Sequence, residues 1–418
     1  MSKLMFMNQW PPLADKKYTH MITVQQAEKL ILENTRDYGA EIVLFDEALG
    51  RVLAEEIKTD RDLPPFNRVT MDGIAIKHAA IAQNIKTFKI KATQAAGNAP
   101  IEINADDECI EIMTGAALPE SLDTVIRYED VEIKDGVATL LTDNIAQGQN
   151  LHLKGTDKLK GEVILKPGTM ITPAIISLVA SVGETELRVK RIPRVVILSS
   201  GDELVEVSAT PSPYQIRRSN SYMLQAILAK QGIKGAVRHI PDNEEIIKQQ
   251  LGLCLQNYDV ILLSGGISMG KFDYIPKALK DLQVEQVFHK VQQRPGKPFW
   301  FGKHENGVVV FAFPGNPAAS FMCMQRYFIP WLNASLGIQP KEPMYGVLGE
   351  DFTFEPALEY YLQVKLNYSN SGQLIATPLA GNGSGDFANL AETEAFMELP
   401  PDKAEFKKGE VYKIWPFV

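Results

Sequence analysis

The spacing of apolar residues changes character twice along the chain. Near the N-terminus, Thr23 and Gln26 form a helix-capping pattern, and apolar residues recur at helical spacing over 27–31. Short alternating stretches separated by Gly, Pro, Asn and Asp follow, at 88–92, 109–113, 124–128 and 137–141. A helical pattern returns at 175–182. We therefore predict a β-rich module inserted into a helical one.

Residues 194–332 have a different pattern. Three continuous apolar runs, at 195–198, 260–263 and 308–313, are typical of parallel strands that are covered on both faces. Helical patterns lie between them, one of which follows an acidic start at 242–245. Alternation of strands and helices predicts a doubly wound α/β domain.

The remainder of the chain, beyond Pro340 and Pro343, reads as a small β domain with strands near 360–366 and 411–415. The predicted fold class is therefore multidomain α/β. The predicted domains are a discontinuous helical domain at 18–60 and 149–190, a β-rich insert at 61–148, the α/β domain at 191–337 and the C-terminal β domain at 338–418.

Composition and charge exclude several classes of protein. Lys and Arg number 43 against 51 Asp and Glu, which gives a net charge of −8 and argues against coating of nucleic acid. Apolar runs are too short to span a bilayer, and we expect neither a signal peptide nor a membrane association. Three scattered cysteines do not form a disulfide framework. We expect a cytoplasmic protein.

Each of the three apolar runs ends in an unusual loop. The loops are 199–203 with Ser200, Gly201, Asp202 and Glu203, 264–270 with Ser264, Gly265, Gly266, Ser268 and Gly270, and 314–317 with Pro314, Gly315, Asn316 and Pro317. In a parallel sheet these loops meet at one edge, where ligands bind. Glycines let the backbone N–H groups approach an anion, so the loops suit phosphate, although any single one could be only a connecting turn.

Charged residues accompany these loops. Glu203, Asp242 and Asp273 suggest Mg²⁺, which takes one or two carboxylates and completes its shell with water and phosphate oxygens. Asp242 could instead cap the following helix. Arg294 and Lys297 lie on a proline-flanked turn and are candidate anion-binding residues.

Other candidate chemistry is weaker. Within the insert, the segment 64–73 contains Met71-Asp72-Gly73, and a second segment contains Thr114, but either could be a simple turn. The six histidines show no metal-binding spacing, and no nucleophile elbow of a Ser-His-Asp hydrolase is present.

Taken together and in order, these segments resemble the molybdopterin molybdenumtransferases, the MoeA family that includes the gephyrin E domain. The motifs that carry the resemblance are 64–66 with 71–73, 113–116, 155–157, 200–204, 264–270 with Asp273, 294–298 and 314–317. The resemblance implies that the C-terminal domain is a β-barrel and that the α/β domain binds molybdopterin. It also implies a homodimer whose cleft lies between the α/β domain of one subunit and the insert of the other.

The resemblance further implies the reaction and its residues. Members of the family insert molybdate into the dithiolene of adenylylated molybdopterin, with Mg²⁺-dependent release of AMP. On matching positions, Glu203, Asp242 and Asp273 would surround phosphate and metal, Arg294 and Lys297 would hold phosphate or molybdate, and Asp72, Thr114 and Asp157 would approach from the insert. Contacts with other proteins of cofactor biosynthesis and with molybdoenzymes are compatible with this function.

This chain also departs from the family pattern. His152 stands where an arginine is common, and we leave it out of the predicted site; Val69-Thr70, Thr156, Arg294 and Glu394 are further departures. Two other functions stay open: a molybdopterin adenylyltransferase or nucleotide pyrophosphatase built on the same α/β domain, and a scaffold protein. The extra domains around the α/β unit favour the molybdenum-inserting enzyme.

Overall fold

The computed structural model describes residues 21–267, 274–379 and 388–417. Its contacts divide the chain into two compact units. Of the described residues, the first comprises those up to Glu41, Gly50–Val52 and those from Val189 onward, and the second comprises Ile42–Leu49 and Leu53–Arg188. The predicted domain boundaries stay predictions.

Three of the described α-helices begin at a side chain that caps them, namely Thr23, Thr172 and Asn243. The Thr23 side chain accepts a hydrogen bond from Gln26 N at 3.1 Å, and the Gln26 side chain accepts one from Thr23 N at 3.0 Å, which completes the predicted capping box. The α-helices of the described residues are α1 (Val24–Leu32), α2 (Ala79–Ala82), α3 (Pro173–Ser181), α4 (Asn220–Lys230), α5 (Glu244–Asn257), α6 (Ile275–Asp281), α7 (Pro317–Cys323) and α8 (Ile329–Ser335). A π-helix, Met324–Phe328, joins α7 to α8. Within the described part of the chain, none of these helices has the length and apolar composition that a membrane crossing requires.

Most strands are short. In chain order they are β1 (Ala40–Leu44), β2 (Ile57–Lys58), β3 (Arg68–Val69), β4 (Gly73–Ile76), β5 (Thr87–Gln94), β6 (Glu108–Ile112), β7 (Thr124–Arg127), β8 (Val131–Lys134), β9 (Val137–Leu140), β10 (Leu151–His152), β11 (Val163–Leu165), β12 (Glu186–Lys190), β13 (Val195–Ser200), β14 (Leu204–Val205), β15 (Ile216–Arg217), β16 (Ala236–Ile240), β17 (Val260–Ser264), β18 (Glu285–His289), β19 (Gln293–Arg294), β20 (Trp300–Lys303), β21 (Val309–Phe313), β22 (Met344–Leu348), β23 (Phe352–Thr353), β24 (Glu359–Tyr368), β25 (Leu374–Pro378), β26 (Ala395–Leu399), β27 (Glu405–Phe406) and β28 (Val411–Pro416). Their lengths match the stretches between turn residues in the sequence.

The first unit contains a six-stranded sheet in the order β16-β13-β17-β21-β20-β18. The strands β16, β13, β17 and β21 are parallel, and β20 and β18 extend the sheet in antiparallel fashion. Alternate residues enter two separate cores, as Ile197 and Val196 show on neighbouring positions of β13. Burial on both faces explains the three continuous apolar runs, and the doubly wound prediction is confirmed.

The C-terminal strands form a closed barrel. The order β24-β25-β22-β28-β26 returns to β24 through a further β24–β26 pairing, and β19 adds to the outside of β24. Leu362, Val364, Met397 and Ile414 fill its core. This arrangement confirms the predicted C-terminal β-barrel.

The second unit contains a six-stranded sheet in the order β7-β4-β6-β5-β9-β8. Four of its strands match the predicted stretches, and β4 and β8 were not predicted. Strand β4 begins at Gly73, where an added Cβ would collide with the Ile126 carbonyl oxygen, so the sheet requires glycine at this position. The β-rich insert is therefore confirmed.

Candidate active site

The three predicted loops follow neighbouring parallel strands. Gly201 has a φ of +139°, and an added Cβ there would lie 2.5 Å from a Glu203 carboxylate oxygen, so the carboxylate of Glu203 folds back over this glycine. Gly265 has a φ of +88°, and its N–H donates to the Phe313 carbonyl oxygen at 3.2 Å. The loops after β17 and β21 are thereby joined at the edge of the sheet.

Polar side chains join the loop after β13 to the loop after β16. Ser200 Oγ donates to Asp242 Oδ1 at 2.6 Å, and Asp242 N donates to Asp202 Oδ1 at 3.1 Å. The cap of α5 is Asn243, whose side chain accepts from Ile246 N at 3.1 Å. The capping role considered for Asp242 therefore falls to its neighbour, and the Asp242 carboxylate faces the loop of Ser200 instead.

Asn220, which the sequence analysis missed, bridges the other two loops. Its Nδ2 donates to Ser264 Oγ at 3.0 Å and to the Gly315 carbonyl oxygen at 2.7 Å. Asn220 is the first residue of α4. The polar run 217–221 immediately before an apolar helical pattern was the signal that could have identified it.

The three loops line a cavity of about 590 Å³. Its lining includes Ser200, Glu203, Ser264, Gly265, Gly315, Asn316 and Pro317, together with Arg218, Asn220 and Ser221. Buried polar atoms of the last three (Arg218 Nε, Asn220 Oδ1 and Ser221 Oγ) have no hydrogen-bond partner among the described residues. Because an unsatisfied buried polar atom costs about 1–3 kcal/mol, the cavity favours a polar ligand.

The two predicted cations line a second cavity, of about 310 Å³. Arg294, Lys297 and the prolines around them form one side of it, and Pro314 and Asn316 form part of the other. The buried Gln293 donates from Nε2 to the Gly296 carbonyl oxygen at 2.9 Å and so holds the turn. Asn316 lines both cavities. Glu203 and Lys297 thus line two different cavities, which have Asn316 in common.

Part of the predicted site lies outside the described residues, namely Asp273, Ser268 and Gly270. Among the residues that are described, no three His, Cys, Asp or Glu side chains group closely enough to hold a metal ion on their own. Glu203 and Asp242 still supply hard carboxylate oxygens, the donor type of Mg²⁺, which needs only one or two protein carboxylates.

The predicted residues Asp72, Thr114 and Asp157 belong to two hydrogen-bonded groups within the second unit. Asp72 Oδ1 accepts from Thr114 N at 2.6 Å and from Thr114 Oγ1 at 2.7 Å, and these hydrogen bonds lower the pKa of the Asp72 carboxyl. Asp157 Oδ1 contacts His152 Nε2 at 2.9 Å. His152, left out of the prediction because it replaces an arginine, therefore belongs beside Asp157.

Comparisons with known proteins cover almost the whole chain. Three family models match in succession: the MoeA N-terminal region (domain I and II) at residues 22–183, the probable molybdopterin binding domain at 196–334 and the MoeA C-terminal region (domain IV) at 345–417. Each matched stretch contains one of the sheets described above.

Whole-length relatives agree with these matches. The molybdopterin molybdenumtransferase of Synechocystis sp. is 38% identical over 94% of this chain and all of that protein, and that of Staphylococcus epidermidis is 30% identical over 94% of this chain and 95% of the relative. A crystal structure of the MoeA molybdopterin biosynthesis protein from Pyrococcus horikoshii has a TM-score of 0.81 and 28% identity, covering 95% of this chain and all of that one. The chain therefore belongs to the MoeA family of molybdenum cofactor biosynthesis.

Proposed function

We propose that this protein inserts molybdate into the dithiolene of adenylylated molybdopterin and releases AMP in a Mg²⁺-dependent step. One observation carries the proposal: a polar cavity over the glycine loops adjoins a second cavity lined by two cations, and Asn316 lines both. The names of the curated relatives support the same activity.

The larger cavity has the properties that a phosphorylated pterin requires. Its volume of about 590 Å³ falls in the usual range for small-molecule sites. The backbone at Gly265 and Gly315 carries no Cβ toward the ligand, so phosphate oxygens can approach the N–H groups. Asn220 holds the loops that follow β17 and β21 in place without any ligand. The site is therefore preorganised for an anion.

The cations in the smaller cavity offset the repulsion between two anionic substrates. Arg294 and Lys297 lie on a turn that Gln293 holds by a hydrogen bond to Gly296. Fixed cations stabilise phosphate and molybdate oxygens at little reorganisation cost. No protein nucleophile is needed, because positioning and electrostatic stabilisation lower the barrier.

The carboxylates Glu203 and Asp242 are suited to Mg²⁺, with Asp273 as a third candidate outside the described residues. When bound, the metal would supply positive charge to the phosphate oxygens of the pterin–AMP link. Glu203 is kept near the loop by its fold over Gly201, and Asp242 is oriented by the Ser200 hydroxyl. These two contacts determine where the carboxylate oxygens lie.

We also propose a cytoplasmic homodimer in which Asp72, Thr114 and Asp157 of one subunit act on the substrates of the other. Mixing Asp72→Asn with Lys297→Ala subunits tests this arrangement. Random reassociation would restore about one quarter of the wild-type specific activity, because half the dimers would contain one intact site. No recovery after mixing would contradict the shared site.

The reaction itself is tested by incubating the purified protein with adenylylated molybdopterin, with and without molybdate. AMP release that requires both molybdate and Mg²⁺ supports the proposal. AMP release at the same rate with and without molybdate identifies a pyrophosphatase. Lys297→Ala should lower the rate at least about tenfold, as expected for a charge-assisted contact. Lys303→Ala, which removes an exposed lysine beside Glu285, is the matched control and should leave the rate unchanged.

A further inference from the structure

An arginine outside all of the predicted sites, Arg68, lies opposite His152 within the second unit. Strand β3 pairs with β10 in antiparallel register, which places Arg68 directly across from His152. Arg68 Nη2 lies 3.0 Å from His152 Nδ1, and His152 Nε2 lies 2.9 Å from Asp157 Oδ1. The three side chains thus form a continuous chain of contacts.

The donors and acceptors determine the state of the imidazole. A guanidinium can only donate, so His152 Nδ1 must accept and carries no proton. Nε2 then carries the proton and donates to Asp157. The two contacts are therefore made by the tautomer that carries its proton on Nε2, because a proton on Nδ1 would face an N–H group of Arg68.

Most of the Arg68 guanidinium stays available. Arg68 is exposed, and among the described residues its side chain makes no ion pair and no hydrogen bond besides the one to His152. One of the five N–H donors of the guanidinium is therefore used in the hydrogen bond to His152, which orients the side chain. The other donors can bind an anion bidentately.

Arg68 also lies next to the segment that carries Thr114. Val69 N donates to the Ala116 carbonyl oxygen at 3.0 Å, and Gly115 N donates to the Val69 carbonyl oxygen at 2.9 Å. A β-bridge places Arg68 opposite Ala117. The Asp72–Thr114 pair and the Arg68–His152–Asp157 chain are thus held by one set of backbone contacts.

We propose that Arg68 is an oxyanion-binding residue of this site and that His152 is its positioning residue. The inference rests on the proposed function, since the oxyanion is either molybdate or a phosphate of adenylylated molybdopterin.

The test measures KM and kcat for each substrate in the AMP-release assay, using the full chain with Arg68→Ala. We expect a rise of about tenfold or more in one KM, with kcat nearly unchanged, as for loss of a charge-assisted hydrogen bond. A rise in the molybdate KM identifies molybdate as the ligand, and a rise for the pterin substrate identifies phosphate. The matched control is Arg61→Ala, which removes an exposed arginine that pairs with Asp60. Its KM values should equal those of wild type. Equal KM values in the two variants would overturn the proposal.

Calorimetric binding of molybdate and of AMP, measured without turnover, separates this inference from the proposed function. If the wild-type protein releases no AMP, the proposed reaction fails. Weaker binding of molybdate or AMP by Arg68→Ala than by wild type would then still support the role of Arg68 in binding an oxyanion. Normal turnover with unchanged binding in that variant would overturn Arg68 alone.

Two substitutions test the positioning role of His152. His152→Asn keeps an acceptor near the Nδ1 position that contacts Arg68 Nη2, whereas His152→Ala removes it. We expect the KM that rises in Arg68→Ala to rise in His152→Ala as well, and to return toward the wild-type value in His152→Asn. Equal KM values for the two His152 variants would overturn the positioning role.

Discussion

Ser200 Oγ donates a hydrogen bond of 2.6 Å to Asp242 Oδ1 and so connects the ends of two adjacent parallel strands, β13 and β16. The serine is buried. The contact leaves the second oxygen of the Asp242 carboxylate free of Ser200. It therefore orients a carboxylate toward the loops without neutralising it.

Replacement of this carboxylate should affect activity more than stability. Asp242→Asn keeps an acceptor for Ser200 but removes the negative charge proposed to bind Mg²⁺. We expect AMP release to fall at least about tenfold, as for the loss of a charged contact, with an unchanged urea midpoint. Raising the Mg²⁺ concentration should restore part of the rate. A variant as active as wild type would rule out a metal role for Asp242.

Replacement of the neighbouring residue, Asn243, should affect stability more than activity. Asn243→Ala removes the side-chain cap of α5, where Asn243 Oδ1 accepts from Ile246 N at 3.1 Å. Loss of an N-cap costs about 1 kcal/mol, so the urea midpoint should fall while kcat changes little. Denaturation followed by circular dichroism measures this change.

Gly201→Ala should impair the reaction through Glu203. The new Cβ would lie within about 2.5–2.6 Å of the Glu203 carboxylate oxygens, so the carboxylate must move away. We expect a higher requirement for Mg²⁺ together with a loss of stability from the positive φ. Gly372→Ala is the control, since it shares a positive φ but has no atom within 4 Å of the added Cβ. Its Mg²⁺ requirement should equal that of wild type.

Arg326 stabilises the junction of α1, the π-helix and the barrel. Its guanidinium is almost fully buried and contacts Glu28 Oε2 at 2.9 Å and Tyr361 OH at 3.1 Å. Arg326→Met removes the charged partner of Glu28, whose carboxylate is half-buried. We therefore expect a loss of about 3–5 kcal/mol in the free energy of unfolding. Lys403→Ala, which removes the exposed ion pair with Glu410, should leave the free energy of unfolding almost unchanged.

Stability in this region should also depend on pH. Burial, together with a hydrogen bond and repulsion from Glu398, raises the pKa of Glu359 to about 8. The folded protein therefore binds this proton more tightly than the unfolded chain. The resulting stabilisation is complete below about pH 4 and is lost as the pH rises through about 8.

Glu359→Gln imitates the neutral carboxyl at every pH, and urea midpoints of the two proteins check the direction of this effect. The variant should gain stability relative to wild type between pH 5 and pH 8.5. Glu405→Gln, an exposed glutamate beside Lys407, should show no such trend. A constant difference between Glu359→Gln and wild type across this range would contradict the raised pKa.

Some short elements were missed from the sequence for a physical reason. Strand β4 has only four residues and directly follows the Asp72-Gly73 turn signal, so neither length nor alternation distinguishes it from a loop. Strand β19 has two residues and is defined only by its pairing with β24. Such strands depend on a partner strand far away in the sequence.

The sequence by itself determined the local structure of this protein: the capping box at Thr23, the buried strands β13, β17 and β21, and the glycines whose φ is positive. These features depend on side-chain type and spacing over a few residues. Tertiary structure alone decided which loops adjoin. Asn220 meets Ser264 and Gly315 across 44 and 95 positions, and Arg68 meets His152 across 84, because strand register and helix placement, rather than local preference, bring such groups within hydrogen-bonding distance.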